Sequence, residues 1–141
     1  MVETFQRDLE RGKIHEIYVL NEIKKKYNQA YMIDGYCKDY DIFIPELQFG
    51  VEVKADEKSK ETGNIVIEIE SNNKLSALTT TKAKYWVIYD GIEYHWFLTE
   101  NIKKCIQENN LRYAEFVAKG DIKSKKAYLI NKRLLYQYKE L

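Results

Sequence analysis

Two acids and a lysine stand where strand geometry would bring them together. Asp41 lies in the run Tyr40 to Ile44, and Glu52 and Lys54 lie in the run Phe49 to Ala55. If Pro45 to Gln48 form the loop of an antiparallel hairpin, 44 pairs with 49 and 42 with 51, so Asp41 falls opposite Glu52. Side chains alternate between the faces of a sheet. Asp41, Glu52 and Lys54 then share one face, and Ile42, Ile44, Val51 and Val53 take the other. Like charges directly opposite one another cost up to about 1 kcal/mol, and a divalent cation offsets that cost. Mg²⁺ takes oxygen ligands, typically one or two carboxylates, and fills its other positions with water and substrate phosphate. A lysine beside it can offset charge developing on a phosphodiester and help position the attacking water. The chemistry open to this group is metal-assisted phosphodiester hydrolysis, with one or two ions.

The elements that must position these residues are readable from periodicity. Phe5, Leu9, Gly12, Leu20, Ile23 and Tyr27 fall on one stripe of a helix from Val2 to Tyr27, with Arg7, Glu10, Lys24 and Lys25 on its polar side. Glu16 sits inside that stripe, one turn after Gly12 and one turn before Leu20. A carboxylate among apolar neighbours needs a partner or a metal. Gly12 would admit another backbone close by, so the helix is expected to present Glu16 to the same cluster. Strands are expected at Ala30 to Ile33, Tyr40 to Ile44, Phe49 to Ala55 and Asn64 to Glu70, with turns at Asp34-Gly35, Pro45 to Gln48 and Asp56 to Gly63. A short helix is expected over Asn72 to Lys82. A hairpin follows, Tyr85 to Tyr89 and Tyr94 to Leu98 around Asp90-Gly91, and then a helix capped by Thr99 and running to Asn109. The remainder, Tyr113 to Leu141, predicts one or two late strands.

Gly12-x-x-x-Glu16 on a helix, then Asp41-Ile-Phe-Ile, then Glu52-Val-Lys54 resembles the PD-(D/E)xK nuclease superfamily, in particular its small phage and Holliday-junction-type members. Tyr40 stands where the written signature has proline. The likeness runs over residues 12 to 90 and includes Thr79 to Trp86. It implies a restriction-endonuclease-like α/β fold, an α-β-β-β-α-β core with a central mixed sheet flanked by helices, over a single domain spanning residues 1–141. It implies that Asp41 and Glu52 bind Mg²⁺ or Mn²⁺, that Glu16 adds to metal binding, that Val53 is a further ligand, and that Lys54 supports the attacking water. The substrate it implies is DNA, and a homodimer is expected because such nucleases often pair to cut two strands. The alternatives are a resolvase selective for branched DNA, a nucleic-acid-binding module that keeps the fold without catalysis, and a structural domain. RNA as substrate stays open.

Other candidates are weaker. Asn64, Glu68 and Glu70 alternate with Ile65, Ile67 and Ile69 and read as an exposed acidic strand face; Asp56 and the charged loop 57–61 could touch DNA or merely solubilise a turn. His15 and His95 are isolated and read as ordinary polar residues. Lys119, Lys123, Lys125, Lys126, Lys132 and Arg133 could track a phosphate backbone, with binding that weakens steeply in salt. Some of the tyrosines, with Trp86 and Trp96, could stack on unpaired bases. No phosphate-loop, nucleophile-elbow or dinucleotide fingerprint is present, which argues against NTPases, serine hydrolases and dinucleotide enzymes.

Composition sets the frame. Lys and Arg number 23 against 22 Asp and Glu, a net charge of +1, so affinity for nucleic acid must come from charge arrangement. Cys37 and Cys105 form no C-x-x-C pair and fit a reducing compartment. The first residues are charged from Glu3 onward and no long apolar run occurs, so neither a leader nor a membrane span is expected. A cytoplasmic protein is expected, in the host cytoplasm if the gene is viral.

Overall fold

A computed structural model describes residues 2–35, 39–117 and 124–139, with side chains described from residue 12 onward. Cys37, Lys119 and Lys123, and the side chains of Phe5, Arg7, Leu9 and Glu10, lie outside the described set. Helix α1 (Val2–Lys24) leads into strands β1 (Tyr31–Met32), β2 (Ile42–Ile44) and β3 (Phe49–Ala55). A short helix α2 (Ser59–Thr62) precedes strands β4 (Asn64–Ser71) and β5 (Lys74–Leu75), then the hairpin β6 (Tyr85–Tyr89) and β7 (Tyr94–Leu98). Helix α3 (Thr99–Glu108), strands β8 (Ala114–Val117) and β9 (Ser124–Asn131) and helix α4 (Lys132–Leu135) complete it. The molecule is α/β with a mixed central sheet.

That central sheet has the order β1-β2-β3-β6-β7, antiparallel except where β6 lies parallel to β3. The hairpin register is the expected one from Ile44 opposite Phe49 to Ile42 opposite Val51. The expected Asp41–Glu52 pair does not form: the ladder ends at Ile42, and the Asp41 N–H also turns to the Val51 carbonyl. Gln48 takes a positive φ of 57° to close its loop. A second antiparallel sheet, β5-β4-β9-β8, supplies the two late strands.

Each face of the central sheet has its own core. Val19 and Ile23 of α1 pack on Ile42, Ile44, Val51, Val53 and Val87. On the opposite face Trp86, Ile88 and Phe97 meet Ile65, Ile67 and Ile130 of the second sheet, with Ile102 and Cys105 of α3 and Leu135 of α4. Strand alternation decides which residues each core receives. Glu52 pairs in register with Trp86 and Lys54 with Ile88, so both point to the side of the second sheet, away from α1.

Several expectations need correction. No helix forms over Asn72 to Lys82. Asn72 and Asn73 both adopt positive φ, 53° and 62°, and close a two-residue hairpin between β4 and β5. After it only a 3₁₀ turn, Ala77–Thr79, forms before the β-branched run Thr79 to Thr81. The link from β3 to its parallel neighbour β6 therefore runs through the second sheet where the α-β-β-β-α-β core would place a helix. Thr99 is not a cap; it is the first residue of α3, and its hydroxyl donates to the Ala83 carbonyl at 2.6 Å. The stripe of α1 is centred on His15, Val19 and Ile23, so Glu16 borders it and is half-buried. A Cβ on Gly12 would meet nothing within 4 Å, so that glycine does not mark a close approach. Among the described residues no helix is long and apolar enough to cross a membrane.

Candidate active site

Strand β3 carries the candidate pair. Glu52 and Lys54 stand two residues apart on one face, and Lys54 Nζ lies 3.4 Å from Glu52 Oε1. The Glu52 side chain is 17% exposed and that of Lys54 is 47%, so the lysine reaches outward from a more sheltered acid. Both line a cleft of about 330 Å³ together with Asp39, Glu68, Ala77, Thr80 and Thr81. The cleft opens where the β4–β6 connection leaves the edge of the second sheet. Thr81 helps hold that wall, accepting hydrogen bonds from Trp86 Nε1 at 3.3 Å and Ala83 N–H at 3.2 Å.

Asp41 sits just before β2 and is 6% exposed. Its N–H donates to the Val51 carbonyl at 3.0 Å, and its Oδ2 accepts from the Val53 N–H at 2.8 Å. A carboxylate thus takes a ladder position that a backbone carbonyl would fill in a longer strand. The N–H and C=O of one strand residue point to the same edge, so the Val53 carbonyl is directed toward Asp41. Through its main chain Val53 can offer a metal ligand there. Its side chain lies in the core under α1.

Tyr40, which stands in place of the signature proline, positions this segment by packing. Its ring stacks on Phe43, centroids 5.8 Å apart, and covers Gly50 so closely that any Cβ there would collide with it. Gly50 is required for that approach.

Glu16 is carried by α1, over the opposite face from Glu52 and Lys54. Among the described residues no three His, Cys, Asp or Glu side chains are grouped to hold a metal ion. Glu68, read from sequence as part of an exposed acidic face, instead lines the cleft; its Oε2 accepts from Ser76 Oγ at 2.8 Å, and Lys125 lies 3.7 Å from its Oε1. Glu70 pairs with Lys126 at 2.9 Å. Asn64 stands at the start of β4 opposite Asn131, and Asp56 ties β3 to β4 by accepting the Val66 N–H at 2.8 Å. Asp39 lines the cleft as well, an acid that no motif singles out, although its place two residues before Asp41 would put it on the same face of an extended chain. It lies 4.0 Å from Lys82.

The histidines are paired structural groups. His15 Nδ1 meets the Tyr94 hydroxyl at 2.6 Å and its ring stacks on Tyr89. His95 Nε2 meets Asp90 Oδ2 at 2.8 Å, and since a carboxylate only accepts, this nitrogen carries the proton. Asp90 also accepts from the Tyr136 hydroxyl at 2.7 Å and from the N–H groups of Glu93 and Ile92 at 2.8 and 2.9 Å. Burial pushes the Asp90 carboxyl up, but the Glu93 N–H, the Tyr136 hydroxyl, the Ile92 N–H and His95 together hold it well below the usual carboxylate range. Burial and the bond to Asp90 push Tyr136 far above the usual tyrosine range.

No protein-family model, curated protein or solved structure matches this chain.

Proposed function

We propose that this protein is a metal-dependent nuclease that hydrolyses DNA phosphodiester bonds at the Glu52–Lys54 cleft, with a restriction-endonuclease-like core as its scaffold. The observation that carries the reading is the placement of Glu52 and Lys54, 3.4 Å apart on the wall of the cleft, across the hairpin from a buried Asp41 that grips the Val53 N–H. A solvated hairpin has no need to bury one acid against its neighbour's backbone and aim a second into a hollow with a lysine beside it.

The donor set fits a hard cation. Asp41 and Glu52 supply carboxylate oxygens and Val53 a main-chain carbonyl. Mg²⁺ typically binds through one or two carboxylates and keeps its other positions for water and phosphate, so a cluster of three protein acids is not required. Glu16, carried by α1 over the other face of the sheet, is left out of this donor set. When bound, the cation supplies Lewis acidity toward the phosphate and lowers the pKa of a bound water.

The chain's own residues do the rest. The Val53 N–H fixes the Asp41 carboxylate, and the pairing of β3 with β6 fixes Glu52 beside Trp86. Lys54 stabilises charge developing on the phosphate and orients the water. Cleavage of end-labelled single-stranded, duplex and four-way-junction DNA in Mg²⁺, Mn²⁺ or EDTA tests the proposal. Cutting that EDTA abolishes supports it; uncut DNA in every metal refutes it.

A further inference from the structure

The face of the central sheet that bears Glu52 and Lys54 also bears a row of aromatic rings leading to them. In the strand register Tyr31 pairs with Phe43 and Phe43 with Gly50, which makes the three neighbours across β1, β2 and β3. Gly50, Glu52 and Lys54 share one face by alternation. The Tyr40 ring lies over Gly50, so the row runs Tyr31, Phe43, Tyr40, with centroid spacings of 5.9 and 5.8 Å. Phe43 and Tyr40 are half-buried, and Tyr31, at the edge of the sheet, is 49% exposed. Two cations flank the inner end, Lys54 in the cleft and the exposed Lys82 beside Asp39.

We infer that this row is a stacking platform for unpaired bases, and that the preferred substrate is single-stranded DNA running from Tyr31 over Phe43 and Tyr40 into the Glu52–Lys54 cleft. Stacking on side chains requires exposed base faces, which a duplex hides and a single strand offers, and it tolerates any sequence. The lysines meet phosphates at the cleft end, where the carboxylates alone would repel the backbone. A row of rings that served only the sheet would stabilise cross-strand pairing and leave DNA affinity unchanged on mutation.

This inference rests on the nuclease reading for the destination of the strand, and binding tests it separately from cutting. Fluorescence anisotropy of labelled oligothymidylate and of a duplex of equal length is measured with the full chain in Ca²⁺, with oligonucleotide integrity checked on a gel. The expected result is tighter binding of the single strand. Tyr31→Ala and Phe43→Leu, the latter keeping apolar volume without a ring, should each weaken it about tenfold, while Tyr31→Phe binds as wild type does. Unchanged affinity in Tyr31→Ala and Phe43→Leu, or a preference for duplex, overturns the inference and leaves the nuclease reading standing. Ring-dependent binding by a protein that cuts nothing in Mg²⁺ or Mn²⁺ supports the platform and removes the nuclease reading.

Discussion

Replacing Asp41 by asparagine separates what this residue does for the fold from what it does for a cation. The amide side chain keeps an oxygen for the Val53 N–H, which Asp41 now accepts at 2.8 Å. The bond loses its charge assistance, a change from about 1.5–3 to about 0.5–1.5 kcal/mol. In EDTA, Asp41→Asn should therefore lie about 1–1.5 kcal/mol below wild type by urea unfolding. Mg²⁺ changes the comparison: at about ten times its dissociation constant it stabilises the wild type by about 1.4 kcal/mol, and the variant should lose most of that gain. Unfolding curves in EDTA and across an Mg²⁺ titration read both numbers. If Mg²⁺ stabilises both proteins equally, Asp41 is not a ligand; if it stabilises neither, the wild type has no cation site to lose.

Gly50→Ala drives a methyl into the Tyr40 ring and should cost about 1–3 kcal/mol by overpacking; a double-mutant cycle with Tyr40→Ala should recover most of it, which thermal melts of the four proteins would read. Asp90→Asn should cost about 2–3 kcal/mol by weakening the charged acceptor of the Tyr136 and His95 bonds. Because the folded Asp90 carboxyl is depressed below its unfolded value of 3.8, its contribution is complete above that value and is lost as pH falls. The stability gap between wild type and Asp90→Asn should shrink below pH 4 by up to about 1.4 kcal/mol per unit, measured by denaturant unfolding from pH 6 to about 2. A gap that stays constant would mean that the network is not held by charge. Lys54→Ala removes a half-exposed side chain and should leave stability within about 0.5 kcal/mol, yet lower cleavage about 10²- to 10³-fold, read by single-turnover kinetics.

The hairpin was legible in the sequence because local rules decide it: a four-residue loop around Pro45 fixes the register, and alternation then separates Val51 and Val53 from Glu52 and Lys54. The late strands and the β6–β7 hairpin followed from the same rules. Long-range pairing was not legible. The partner of β4 is β9, more than fifty residues later, so no local pattern showed that Glu68 would turn toward the cleft. Asn72-Asn73 is compatible with a helix start, and only its pairing context, Ser71 with Lys74, makes it a tight turn. On α1 the period placed the apolar stripe to within one residue. That one residue separates the buried His15 from the half-buried Glu16, since about 100° of helix rotation is the difference between facing the core and bordering it. His15 entered the core because Tyr89 and Tyr94, from a distant hairpin, partner its ring.

The proposed site stands or falls on cleavage of end-labelled DNA by the wild type beside Asp41→Asn and Lys54→Ala, each in Mg²⁺ and in EDTA, with circular dichroism confirming that all three are folded. The expected result is cutting by the wild type in Mg²⁺ alone, and loss of that cutting in both folded variants. Undiminished cutting by either variant, or none by the wild type, would contradict it.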